Sequence, residues 1–275
     1  MLHANEDDTL LNKEGQNPED GKKPEEGESK ISKLNPLKGL DIMESAKKSG
    51  MSLKCALFEM VATYFFVMGI LLTEFDVSKF ILGMWIIITL FSSFSGGHLN
   101  PAVTLGIWIG NPDFNFIKLI LYWAFQLLGA WLGMITAEVF LKDIGYFQIP
   151  EVKSSWFRIL FSEAFLTGTF VFIVIYQCDK FTKSSKSSAI NVLIMVAWFY
   201  FICSIGAETT GGAFNPAALF IVNFHAFRTG KDKNAVNGCG KLILAELFGA
   251  LFMATCYRIF FRNHYEGRYG EEEKE

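Results

Sequence analysis

Ser95-Gly96-Gly97-His98-Leu99-Asn100-Pro101-Ala102-Val103-Thr104-Leu105-Gly106 and, later in the chain, Gly211-Gly212-Ala213-Phe214-Asn215-Pro216-Ala217-Ala218-Leu219 are variants of one phrase. Each places a Gly pair a few residues before the tripeptide Asn-Pro-Ala, and an apolar run after it. Average residue usage predicts roughly a few hundredths of one such tripeptide in a chain this long, so the pair is no accident. Asn is a favoured helix N-cap and Pro is favoured at the first helical position, so each copy reads as a helix start. The runs that follow, about 102–108 and 217–224, are too short to cross a bilayer. They are expected to be re-entrant half-helices entering a membrane from opposite sides and meeting at its middle. That arrangement points to a pore.

Working outward, six longer apolar segments surround the two phrases, at about 53–73, 80–94, 116–141, 156–177, 189–205 and 242–261. A spanning helix needs about 20 apolar residues, so all but the second are long enough as they stand. The two halves follow one order: a span with an early Glu, a second span, a Gly-rich break, Asn-Pro-Ala, a half-helix, a third span. Glu59 opens one half and Glu163 the other. Three spans per half is an odd number, so the second copy must be inverted relative to the first. The expected fold is therefore all-α: six transmembrane helices and two re-entrant half-helices in an inverted repeat. Its expected boundaries are a disordered tail over 1–50, a channel domain over 51–262 (repeats at about 51–141 and 155–262) and a charged tail over 263–275. A short amphipathic helix at 40–48 is a further expectation.

Composition agrees. Of 275 residues 51% are hydrophobic and 28 are Phe, while the charges crowd into the first fifty or so positions. A net charge of −3 gives no reason to expect a nucleic-acid partner. The five Cys lack metal-ligand spacing and read as small buried hydrophobes. No nucleophile–base pair, metal cluster or phosphate loop stands out, so neither an enzyme nor a cofactor is expected. Lys180, Lys183 and Lys186, Lys47 and Lys48 before the first span, and Arg258 and Arg262 at the last all fall on one side of a six-span chain. By the bias of basic residues toward the cytoplasm, that side and both termini are expected there; Arg228, Lys231 and Lys233 oppose the rule. The serines at 184, 185, 187 and 188, set among lysines, read as a solvated linker or as phosphorylation sites.

The phrase around Asn100 resembles the family motif of the aquaporins, the major intrinsic proteins, and the resemblance runs from about residue 53 to 261. It implies one pore per subunit, a homotetramer in the lipid bilayer, and passage of water. It also implies that Glu59 and Glu163 brace the loops by accepting backbone hydrogen bonds, and that His98 braces its loop rather than carrying protons. The pore motifs would be Asn100, Pro101 and Ala102 with Asn215, Pro216 and Ala217. One departure matters. Most members carry Arg immediately after the second Asn-Pro-Ala, at an outer constriction; this chain has Ala218. Counting back from Asn215 puts two further constriction positions on Cys203 and Gly212. The position on the second span falls on Leu82 or Phe80, of which Leu82 is taken here. Losing a guanidinium removes a fixed charge and up to five donors and leaves more room. Two outcomes stay open: a wider filter admitting glycerol, urea or ammonia, or collapse of Phe214 or its loop into a narrow apolar gate. The glycerol branch usually has Asp after that Arg, where this chain has Leu219. Glu208 either charges the mouth or is solvated. A coupled transporter and a non-conducting or gated scaffold are the competing classes.

Overall fold

Asp76 accepts hydrogen bonds from the backbone N–H groups of Ser78 (3.0 Å) and Lys79 (3.4 Å), and so starts the second span three residues earlier than its apolar run suggests. In the computed structural model, residues 42–111, 114–149 and 155–263 are described. They form eight α-helices: α1 Ile42–Leu72, α2 Val77–Ser95, α3 Pro101–Gly110, α4 Phe116–Phe140, α5 Trp156–Cys178, α6 Ser188–Thr209, α7 Pro216–Arg228 and α8 Cys239–Tyr257. A π-helical turn, Arg258–Arg262, continues α8. Six of these helices are long and apolar enough to cross a membrane, and α3 and α7 are the two shorter elements. Of the expected tails, residues 1–41 and 264–275 lie outside the described residues, while 42–50 are helical rather than disordered. The segment expected as a separate surface helix runs instead, from Ile42, as the first turns of α1.

The burial pattern of α2 shows what the helices face. Phe80, Met84 and Ile88 form a buried i, i+4, i+8 stripe, while Leu82, Ile86 and Leu90 are half or more exposed on another face. Similar apolar rows lie exposed elsewhere, with Phe157, Phe161 and Phe165 of α5 stacked along one of them. Exposed apolar faces of this extent suit hydrocarbon rather than water. Inside, the first and third spans of each half meet through glycine. Gly129 and Gly133 of α4 lie against the backbone of α1, and Gly168 and Gly249 join α5 to α8. Each half-helix packs on the third span of the other half, α3 on α8 and α7 on α4.

We call the end carrying the α1–α2 connection upper and the end carrying the α5–α6 connection lower. At the upper end Asn223 of α7 exchanges two hydrogen bonds with Phe147 (3.0 and 2.9 Å), which ties the α4–α5 loop over the bundle. At the lower end Arg258 and Arg262 donate to the carbonyls of Ile109 and Gly110, the last of α3. Cations there satisfy orphan carbonyls and the negative end of the half-helix dipole. Arg262 also reaches Asp179 at 3.4 Å. The serine-bearing loop is pinned rather than loose, since Asn191 and Gln177 hold the backbone N–H groups of Ser185 and Ser184.

Candidate functional site

The two breaks are built alike. Gly96, Gly97 and Leu99 have φ of 100°, 64° and 55°; Gly211, Gly212 and Phe214, at matching distances from their Asn, have 91°, 66° and 47°. Two residues with side chains sit in the left-handed region, a strain that persists only where surroundings hold it. The surroundings are specific. Asn100 caps α3 by accepting from the Ala102 N–H (2.8 Å), and Asn215 caps α7 by accepting from Ala217 (3.1 Å) and Ala218 (3.3 Å). Their amide nitrogens then cross the midline: Asn100 donates to the Phe214 carbonyl (2.7 Å) and Asn215 to the Leu99 carbonyl (2.9 Å). The half-helices therefore meet tip to tip, each tip tied to the other's strained residue. One amide hydrogen of each Asn is used in this tie. Both residues also border a small cavity between the two tips.

Behind the first break stands Glu59, fully buried. It accepts from Ser95 Oγ (2.6 Å), the N–H of His98 (2.9 Å), the N–H of Leu99 (2.8 Å) and Gln126 Nε2 (2.9 Å). Gln126 also donates to Thr104, which meets the His98 ring at 3.2 Å. The second break is braced more thinly. Glu163 accepts from the Phe214 N–H at 3.2 Å. Where Gln126 stands three residues before Gly129, Glu246 stands three before Gly249, and it faces Glu163. Thr210 and the backbone N–H of Asn215 approach this pair, yet no aligned donor reaches Glu163 Oε2 or either oxygen of Glu246. Glu246 was not singled out by sequence; aligning the halves on Gly129 and Gly249 would have found it. A donor-bearing amide there should supply what Gln126 supplies in the first half. Glu246→Gln is expected to raise stability by about 1 kcal/mol, the net worth of a typical hydrogen bond. Thermal unfolding followed by tryptophan fluorescence in detergent checks it, and a lowered midpoint refutes it.

Three cavities follow one another along the axis. The upper one, about 310 Å³, is bordered by Glu74, Cys203 and Gly212. The middle one, about 30 Å³, contains both Asn100 and Asn215 in its wall. The lower one, about 710 Å³, is lined by Lys118, Asp179 and Arg262 among others, and shares His98, Gly96 and Cys178 with the middle cavity. Phe66 and Phe199 border both the upper and middle cavities.

One sequence expectation is corrected here. Leu82 is 66% exposed on the outer face of α2, whereas Phe80 is 5% exposed and packs over Gly69 against Phe66. The inward position on the second span is therefore Phe80, because the stripe that begins there sets the phase of the helix. Phe214, whose collapse is one of the two outcomes the sequence leaves open, does not turn into the cavities. Its ring is fully buried against Gly206 of α6, away from the cavities. Cys203 and Gly212 do border the upper cavity, while Ala218 is buried in the first turn of α7 and lines none of the three. Glu208 lies exposed in the last turn of α6. Among the described residues no group of His, Cys, Asp and Glu is arranged to hold a metal.

Comparison with known proteins gives a match to the family described as Major intrinsic protein over residues 45–228. The chain belongs to the major intrinsic proteins. Among relatives of this family, it is 25% identical over 144 residues to a probable aquaporin TIP1-2 of Oryza sativa subsp. japonica, covering 50% of this chain and 55% of that one. It is 28% identical over 168 residues to an aquaglyceroporin of Toxoplasma gondii, covering 59% and 58%. The chain thus spans little more than half the length of these relatives. An aquaglyceroporin from Plasmodium falciparum has the same fold, with a TM-score of 0.62 at 20% identity, over 75% of this chain and 95% of the other. This member of the major intrinsic proteins is a multi-pass membrane protein with the family's inverted repeat.

Proposed function

We propose that the chain forms a passive channel for water, with small neutral solutes such as glycerol, urea and ammonia as further candidates. The observation that carries this reading is the row of three cavities threaded through the paired Asn100 and Asn215. Two half-helix N-termini bring their positive ends together there, and such paired ends are the general account of how water-conducting pores repel cations. The middle cavity has no carboxylate in its wall to offset them. The upper cavity, bordered by Cys203 and Gly212, has no guanidinium in its wall. The buried acids Glu59, Glu163 and Glu246 line none of the three cavities, which favours a channel over a coupled transporter, whose binding site usually keeps an ionisable group in reach of the solute.

The lower end is proposed as cytoplasmic, from Lys180, Lys183, Lys186, Arg258 and Arg262. Arg228, Lys231 and Lys233, at the upper end, oppose this assignment. A homotetramer with one pore per subunit is proposed from the family alone. Stopped-flow shrinkage of proteoliposomes tests the central reading. Water flux well above that of empty liposomes, with a potassium gradient that holds, is the expected result. Flux equal to empty liposomes from a well-folded protein would move the reading to a non-conducting or gated scaffold.

A further inference from the structure

The upper cavity is far roomier than the next one inward, so the place where solutes are sorted must lie deeper on the axis. Cys203 and Gly212 border about 310 Å³ of space, while the next cavity inward holds about 30 Å³. A water occupies about 10–15 Å³ by this measure, so the middle cavity holds about two waters and no polyol. Between the two spaces stand Phe66 of α1 and Phe199 of α6, their ring centroids 6.2 Å apart, within the contact range of aromatic pairs. Phe80 backs Phe66 at 5.6 Å and Phe170 backs Phe199 at 5.1 Å. All four rings are 5% exposed or less. Phe66 and Phe170 each stand seven residues after the bracing Glu of their half, so two of the four rings are repeat-related.

We propose that Phe66 and Phe199, held by Phe80 and Phe170, are the specificity-determining constriction of this pore, and that it passes water while turning back polyols. The proposal rests on the channel reading above. A ring pair offers no donor or acceptor. Water in single file keeps bonds to the waters ahead and behind, and Asn100 and Asn215 border the cavity just beyond. A polyol must both part the rings further and leave hydroxyls without partners, and one such loss slows passage by roughly tenfold or more.

The test is stopped-flow water and glycerol flux of the full chain in proteoliposomes, comparing the parent with Phe199→Ala, Phe66→Ala and Ala218→Arg. Phe199→Leu serves as a second, volume-preserving variant should the Ala forms fail to elute as folded protein. Expected is a parent fast for water and slow for glycerol, about tenfold more glycerol flux once either ring is removed, and a glycerol-to-water ratio unmoved by Ala218→Arg. A silent parent that conducts only after ring removal would make the ring pair a closed gate rather than a filter that passes water, and overturns the proposal. A parent that passes glycerol freely until Ala218→Arg stops it places the sorting in the upper cavity and overturns the proposal, with the channel reading intact. A folded Phe199→Ala or Phe199→Leu protein with the parent's glycerol-to-water ratio overturns it too. If parent and every variant match empty liposomes, the channel reading falls and the constriction with it.

Discussion

Glu59→Ala is expected to leave no folded protein to purify, while Glu163→Ala, its counterpart in the second half, should yield a folded protein of lower stability. The difference comes from counting donors. Glu59 receives four hydrogen bonds inside a fully buried site, from Ser95, His98, Leu99 and Gln126. Each buried donor left without a partner costs about 1–3 kcal/mol, so the gross loss is on the order of 4–12 kcal/mol. A whole domain is stable by only about 5–15 kcal/mol. The Ser95 hydroxyl and the Gln126 amide can swing toward other acceptors, which trims the figure. The N–H groups of His98 and Leu99 cannot, because they belong to the backbone of the break. Leu99 is also one of the residues held at positive φ, so the same substitution releases its strain into an unbraced loop. Glu163→Ala removes one aligned bond, from Phe214 at 3.2 Å, and should cost about 1–3 kcal/mol. Fluorescence-detected size exclusion of both variants, followed by thermal melts of whatever elutes as a single peak, makes the comparison. Equal loss in the two variants would mean that the bond count is not what fixes these loops.

The same asymmetry shows what could be read from the chain and what could not. The half-helices were legible because their starting chemistry is local: Asn100 and Asn215 cap, Pro101 and Pro216 follow, and the Gly pairs permit the turn. Glu59 and Glu163 were legible through the repeat and the family resemblance together. What the Asn amides do was read only in part, since sequence offered them to a passing solute and the structure commits one hydrogen of each to the opposite loop. That tie joins residues more than a hundred positions apart, and no local pattern carries it. The second-span position was misread as Leu82 because an apolar run beginning at Phe80 hides where the helix starts. Asp76 sets that start, and the stripe Phe80, Met84, Ile88 then fixes which face turns inward.

The aromatic constriction was missed for a different reason. In a chain with 28 Phe, no single Phe draws the eye. The signal present was positional: Phe66 and Phe170 stand at one offset from Glu59 and Glu163. Phe199 has no such partner, and only packing against Phe66 and Phe170 reveals it. Gating by an apolar ring pair also makes physical sense of a constriction without Arg. Charge repulsion is left to the half-helix ends, and size with hydrogen-bond loss does the remaining sorting.

Gly249→Ala is expected to be nearly as damaging as loss of Glu59, although it adds one methyl group and removes no bond. A Cβ at Gly249 would lie 1.9 Å from the carbonyl oxygen of Ala164, and one at Gly129 would lie 2.2 Å from that of Met60. Contacts under 3.0 Å are essentially never seen for a real Cβ, and here the opposing atom is backbone, which cannot rotate aside. The helices must therefore separate by about an ångström over a length that close packing alone holds together, there being no hydrophobic drive between helices in lipid. Overpacking a well-filled site costs about 1–3 kcal/mol when side chains can adjust, and more when they cannot. For α5 and α8 the separation also pulls Glu246 from Glu163 and loosens the second break, so any protein that survives should conduct poorly. Gly240, in the first turn of the same helix, is the control, because a Cβ there meets nothing within 4 Å. Gly240→Ala should be neutral or gain up to about 1 kcal/mol from helix propensity. Melting midpoints and proteoliposome water flux of the two variants decide the matter. A Gly249→Ala protein that melts and conducts like the parent would show that α5 and α8 are not pressed together as the structure has them.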